Sequence, residues 1–189
     1  MTDPQKMDSA GTVGIADELE WARRDLHVLL AAATPDRLRA RSDGTRWTNE
    51  QLLYHMVFGF LVVRRLLPLV RLVSRLPGWV GRGFARLLEA GTVPFHWIND
   101  LGSCAGALVF NRRRMGWLCD RTIAGLTTSL GHEPEESLAR GMPFPTSWDP
   151  YFKEFMTLED VYGYPVLHYR HHRAQLTLET AGRRHDPSP

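Results

Sequence analysis

The sequence predicts an all-α fold, a bundle of four principal helices, on three observations. Apolar residues recur at helical spacing from Leu19 to Leu30 and from Leu52 to Val63. Helix-start signals stand at Thr48 and Thr157. No stretch of convincing length alternates apolar and polar residues as a half-buried strand does. At 189 residues, with 43% hydrophobic and 23% charged, the chain is long enough to bury a sizeable core within one soluble globular domain.

Residues 1–12 are polar, hold Pro4 and Gly11 and show little periodicity, so they read as a flexible N-terminal tail. The helical domain follows over residues 13–180. Its first helix carries a stripe of Ile15, Leu19, Ala22, Leu26, Leu29 and Leu30, and Pro35 ends or kinks it. "RSDGTRWTNEQ" is a turn leading into a second helix, from about Asn49 to Arg75. Thr48 and Gln51 there have the spacing of a capping box, and Pro68 is the expected kink. A Gly- and Pro-containing connector over 77–95 has a short apolar-basic stretch, Phe84 to Leu88, able to pack as a small helix over the bundle end. Residues from Trp97 to Leu130 read as a third long helix, in which Gly102, Ala105 and Gly106 allow close approach of a neighbour. A long loop rich in proline and aromatic residues leads to the last helix, which starts at Thr157. Asp160 near its start complements the helix dipole, and the helix runs through a histidine cluster to about Thr180. Residues 181–189 read as a flexible C-terminal tail.

The net charge of +2 is too small to make nucleic acid an obligatory partner. Lys6 and Lys153 are the only lysines, and this arginine-rich balance points to a GC-rich genome. Cys104 and Cys119 are fifteen residues apart in what reads as one helix, about 22 Å at the helical rise and too far for a mutual disulfide. No signal peptide opens the chain, so the cytoplasm is the expected compartment. "LLYHMVFGFLVVRRLLPLV", Leu52 to Val70, is interrupted by His55, Arg64 and Arg65, which suits a buried helix better than a membrane span. The apolar residues Trp79 and Phe84 read as covered core, with a homodimer contact as the alternative. A peripheral membrane contact is not expected.

"HYRHHR", residues 168–173, carries the chemistry. His168 and His172 are four apart and share one helix face, whereas His171 points elsewhere. Neutral imidazole ligates zinc, nickel or iron, but two ligands make a weak site. Alone, His55 reads as a core histidine with one hydrogen-bond partner; beside the i, i+4 pair it supplies a third nitrogen.

"WTNEQLLYHM", followed far downstream by "LHYRHHRAQL", resembles the DinB/YfiT-like superfamily of metal-binding four-helix bundles. The resemblance covers about residues 15–180 and rests on the order and separation of a Trp-Thr step, a histidine on the following helix and HxxxH on the last. It implies an up-down-down-up bundle with His55, His168 and His172 as ligands of one divalent ion, zinc being favoured and nickel or iron open. Pro165 lies one turn before His168, the 77–95 connector is longer than an ordinary turn, and Ala174 stands where sulfoxide-synthase-type relatives carry a glutamate. Together with the lack of those enzymes' large second domain, Ala174 argues against that activity.

Three neutral ligands leave a divalent ion charged and with at least one open position, the layout of catalytic sites. The resemblance implies transfer of a low-molecular-weight thiol (mycothiol, bacillithiol or glutathione) to an electrophilic small molecule, with metal-bound thiolate as nucleophile. The composition favours mycothiol as the co-substrate. A hydrolase using bound hydroxide needs the same three residues, and a non-catalytic metal-binding stress or interaction protein is the rival class. No catalytic protein residue is evident. Arg170 and Arg173 are candidates to neutralise an anionic substrate, a solvated basic face being the plain alternative. Trp148 and Tyr151, in "FPTSWDPYF", are candidates to shape the pocket mouth or else to plug the core. "NRRR" from Asn111 reads as a surface run.

Overall fold

In the computed structural model, residues 4–178 are described. The chain forms α1 (Pro4–Ala32), α2 (Pro35–Arg39), α3 (Asn49–Val73), α4 (Gly78–Ala90), α5 (Thr92–Val109), α6 (Arg112–Gly131), α7 (Glu135–Leu138), β1 (Gly141–Pro143), β2 (Phe155–Thr157) and α8 (Leu158–Ala174). The fold is mostly helical, as expected. Four of the helices form a ring of contacts, in which α1 packs on α6 and α8, and α3 packs on the same two. Leu19, Leu26, Leu53, Phe60, Leu126 and Tyr169 meet in the shared core.

The helix starts follow the sequence signals. Thr48 accepts the Gln51 backbone N–H while the Gln51 side chain accepts that of Thr48, and Thr157 and Asp160 make the same reciprocal pair. α3 runs on through Pro68 to Val73, held by the buried Leu67, Val70 and Val73 on either side of the missing donor. Arg71, near its end, donates to Tyr162 Oη (2.8 Å) and pairs with Glu133, tying α3 to α8 and to the turn that follows α6. The segment Leu52 to Val70 lies inside α3, and no described helix is long and apolar enough to cross a membrane.

Several boundaries differ from the sequence reading. α1 begins at Pro4, so the stretch from there to Thr12 is helical where a tail was expected. The connector after Leu76 is largely the thirteen-residue helix α4. The expected third long helix is two helices, because Phe110 turns extended and Asn111 caps a new start by accepting the Arg114 N–H at 3.1 Å. Cys104 and Cys119 therefore sit on different helices, and both are free thiols. α8 stops at Ala174, short of Thr180, because the next residues bond elsewhere: Gln175 O accepts from Asp43 N–H (2.8 Å) and Thr177 N–H donates to Asn49 Oδ1 (3.0 Å). The tail assigned to 181–189 lies outside the described residues.

Between α6 and α8, β1 and β2 pair antiparallel, with Met142 opposite Met156. A Cβ on Gly141 would come within 2.3 Å of Met156 O, so only glycine admits this approach. The hairpin returns the chain to α8 and folds the loop of Pro145 to Phe152 over one end of the bundle.

Burial pushes the Cys119 thiol up to about 12. Thiolate is the species that alkylates, and at pH 8 almost none is present in the folded chain. Iodoacetamide should therefore label native protein at the partly exposed Cys104 and spare Cys119, while denatured protein takes two labels by mass spectrometry. Equal labelling of both in the native state would contradict this burial.

Candidate metal centre

α3 places His55 in its second turn, and α8 places His168 and His172 one turn apart on the face it turns to α3. The three rings converge through their Nε2 atoms. His55 Nε2 lies 3.2 Å from His172 Nε2 and 3.1 Å from His168 Nε2. Two nitrogens each about 2.05 Å from one tetrahedral ion are roughly 3.3 Å apart, so both pairs that His55 makes already have the spacing that one ion requires, and all three ligand atoms lie within 4.8 Å of one another. His55 and His168 are buried and His172 half-buried. Gly59 makes room for this approach, since a Cβ there would lie 3.0 Å from His168 Cδ2.

The other ring nitrogens fix the tautomers. His168 Nδ1 donates to Asp149 Oδ2 at 2.8 Å, and His172 Nδ1 donates to Gln175 Oε1 at 2.7 Å. His55 Nδ1 lies 3.1 Å from Ser103 Oγ on α5. A carboxylate or an amide oxygen can only accept here, which puts the proton on Nδ1 and leaves the Nε2 lone pair facing the centre. Outer partners of this kind orient metal-ligating histidines and raise their basicity. Desolvation by burial, reinforced by the neighbouring imidazoles, pushes His55 down to about 2 and His172 to about 4, so both are neutral near pH 7. A cluster of converging, pre-oriented imidazoles fits a divalent ion, and no other described group of three or more His, Cys, Asp or Glu residues has this convergence.

Asp149 is the residue that the sequence did not single out. Burial alone would raise its pKa, but hydrogen bonds from His168, the Tyr151 N–H and Tyr164 hold the carboxyl below its usual range. Burial in turn pushes the Tyr164 phenol up, and it remains a donor to Asp149. Trp47 lies over His55 with ring centroids 4.5 Å apart, so the Trp-Thr step before α3 covers the site as well as capping the helix.

The four candidate substrate residues divide. Trp148 lines a cavity of about 540 Å³ that has His55 and His168 in its wall, and its indole donates to Thr92 Oγ1 at 3.0 Å. Tyr151 is outside that cavity, its hydroxyl 3.2 Å from His171 Nδ1. The two arginines turn to α1. Arg170 pairs with Glu18 and stacks on Trp21 at 4.6 Å, and Arg173 grips Asp25 with contacts of 2.6 and 2.9 Å. Neither guanidinium lines the cavity, because each is held by a carboxylate of another helix. The arginine run from Asn111 is exposed and forms the first turn of α6.

A family model described as the DinB superfamily matches residues 18–176, which include α3, α8 and all three histidines. No curated protein and no solved structure matches the chain.

Proposed function

The chain belongs to the DinB superfamily, and on that premise we propose that it transfers a low-molecular-weight thiol, mycothiol in the first instance, to an electrophilic small molecule. His55, His168 and His172 would hold one divalent ion, zinc favoured, in a bundle of up-down-down-up order. When bound, such an ion supplies the positive charge that favours the deprotonated form of a thiol at neutral pH. The single observation behind this reading is that two of the three clustered histidines, His55 and His168, line a cavity of about 540 Å³, so a small molecule has room beside the cluster.

The chain's own groups have definable parts in this reaction. Asp149 keeps the His168 proton on Nδ1 and its Nε2 free. Trp148 and Phe152, in the cavity wall, exclude water from the reacting pair. Cys119 is buried and protonated and Cys104 does not line the cavity, so neither serves as the nucleophile and the thiol comes as a co-substrate.

Metal-loaded protein should conjugate monochlorobimane to mycothiol, bacillithiol or glutathione faster than the enzyme-free control, with products read by mass spectrometry. His55→Ala should lose that excess. Water adducts alone would favour a hydrolase built on the same histidines. No thiol reacting faster than the control would leave the non-catalytic reading.

A further inference from the structure

The walls of the cavity say more about its ligand than the histidines do. Along α3 its lining residues include His55, Phe58, Gly59, Val62, Leu66 and Leu69, one helix stripe at spacings of three and four. From His55 to Leu69 that stripe is about 20 Å long at the helical rise. The opposite side is formed by Phe84 and Leu88 of α4, Val161 of α8 and the aromatic loop after β1. The space is therefore a slot running along α3 away from the histidines.

Its polarity is confined to the ends. His55, His168, Asp149 and Tyr164 mark the inner end, where Asp149 is already occupied by His168 and Tyr164. At the outer end Arg65 is exposed, and Leu66 and Leu69 are 40% and 38% exposed, which locates the mouth. Between the ends the walls carry aliphatic and aromatic groups that have no means of hydrogen-bonding a hydroxylated ligand. A hydroxylated electrophile lying along this middle stretch would lose its hydration without replacement. A linear hydrocarbon would exchange water for apolar contact along its whole length.

We propose that the slot binds an acyl-chain amphiphile, with its carboxyl-derived head at the His55–His168 end and its tail running along α3 to the leucines at the mouth. The inference rests on the reading above, in that it names the class of small molecule the same cavity takes; it concerns binding and assigns no bond-making step to the head. The volume of about 540 Å³ lies within the range of about 300–1,000 Å³ that small-molecule sites occupy.

The test is binding, without turnover. Full-length metal-loaded protein is titrated with dansyl-undecanoic acid, whose fluorescence rises and shifts to the blue in apolar surroundings. Saturated acids from hexanoate to palmitate then compete. Saturable binding is expected, with competition strengthening by up to about fifteenfold for each two methylenes that enter the slot. Val62→Trp, which fills the middle of the slot, and Leu69→Glu, which charges its mouth, should each weaken the probe about tenfold or more, with metal content unchanged. Chelation of the metal should also weaken it, because the carboxylate head then loses its cationic partner. Absence of saturable binding, competition independent of chain length, or wild-type affinity in both variants would overturn the slot assignment. Affinity unaffected by chelation would overturn the head-inward orientation. Chain binding without thiol conjugation would overturn the proposed transfer alone, and conjugation of polar electrophiles without chain binding would overturn the slot alone.

Discussion

His172→Ala is expected to leave the purified protein nearly free of metal where the parent chain holds about one equivalent. The two remaining nitrogens, on His55 and His168, make a two-ligand site that gives its ion up to a weak chelator. Loss of an outer partner already costs metal sites about 10–100-fold in affinity, and loss of a ligand should exceed that. His172 is the suitable position because it is the half-buried member of the three, so truncation opens no sealed core cavity. Elemental analysis after dialysis against a competing chelator reads the outcome, with circular dichroism as the check on folding. A second readout is independent of recovery. Zinc should raise the melting temperature of the parent chain, because it binds only the folded state, and should leave that of the variant unchanged. Equal metal content in the two proteins would remove His172 from the site.

That the histidine cluster can be read from the sequence at all follows from where its members sit. His168 and His172 owe their proximity to helical periodicity, which a sequence displays directly, and His55 sits in an apolar helix where an imidazole needs a partner. The capping pairs Thr48–Gln51 and Thr157–Asp160 are equally local. The break at Phe110 and Asn111 was hidden because apolar spacing continues on both sides of it, and Asn111 reads as one more polar surface residue until its backbone turns extended. Arg170 and Arg173 beside the clustered histidines invite a substrate role. Their partners Glu18 and Asp25 belong to the first helix, a pairing set by the contact of α1 with α8. Tyr169 completes that contact, its hydroxyl donating to Asp25 at 2.9 Å from within the core. A residue between two members of the histidine cluster can therefore be wholly structural. Asp149 is the reverse case, a carboxylate in an irregular loop whose direction is set by the β1–β2 hairpin, and no periodicity announces it.

Asp149→Asn is expected to weaken metal binding about 10–100-fold while the fold persists. Asp149 Oδ2 accepts from both His168 Nδ1 and Tyr164 Oη, and Oδ1 accepts the Tyr151 N–H. An asparagine has one accepting oxygen and one donating nitrogen in the same outline. If its oxygen stays with His168 and Tyr164, the amide nitrogen faces the Tyr151 N–H, donor against donor. If it turns to satisfy Tyr151, the nitrogen faces His168 Nδ1 and favours the tautomer that carries its proton on Nε2. That proton occupies the lone pair directed at His55 Nε2, 3.1 Å away, and must leave before an ion can bind. The second orientation opposes the metal directly, and the first keeps the His168 tautomer only with an uncharged, weaker acceptor and a donor–donor contact at Tyr151, whereas the change of volume is negligible. Asp160→Asn is the matched control: Asp160 caps α8 and pairs with Lys153 at 2.7 Å without touching a histidine, so its loss should lower stability by about 1 kcal/mol and leave metal affinity alone. Competition with a chromophoric chelator at pH 7 measures both proteins. Wild-type affinity in Asp149→Asn would mean that His168 is oriented by packing against Gly59 and Tyr164 and that the carboxylate plays no part in holding the metal.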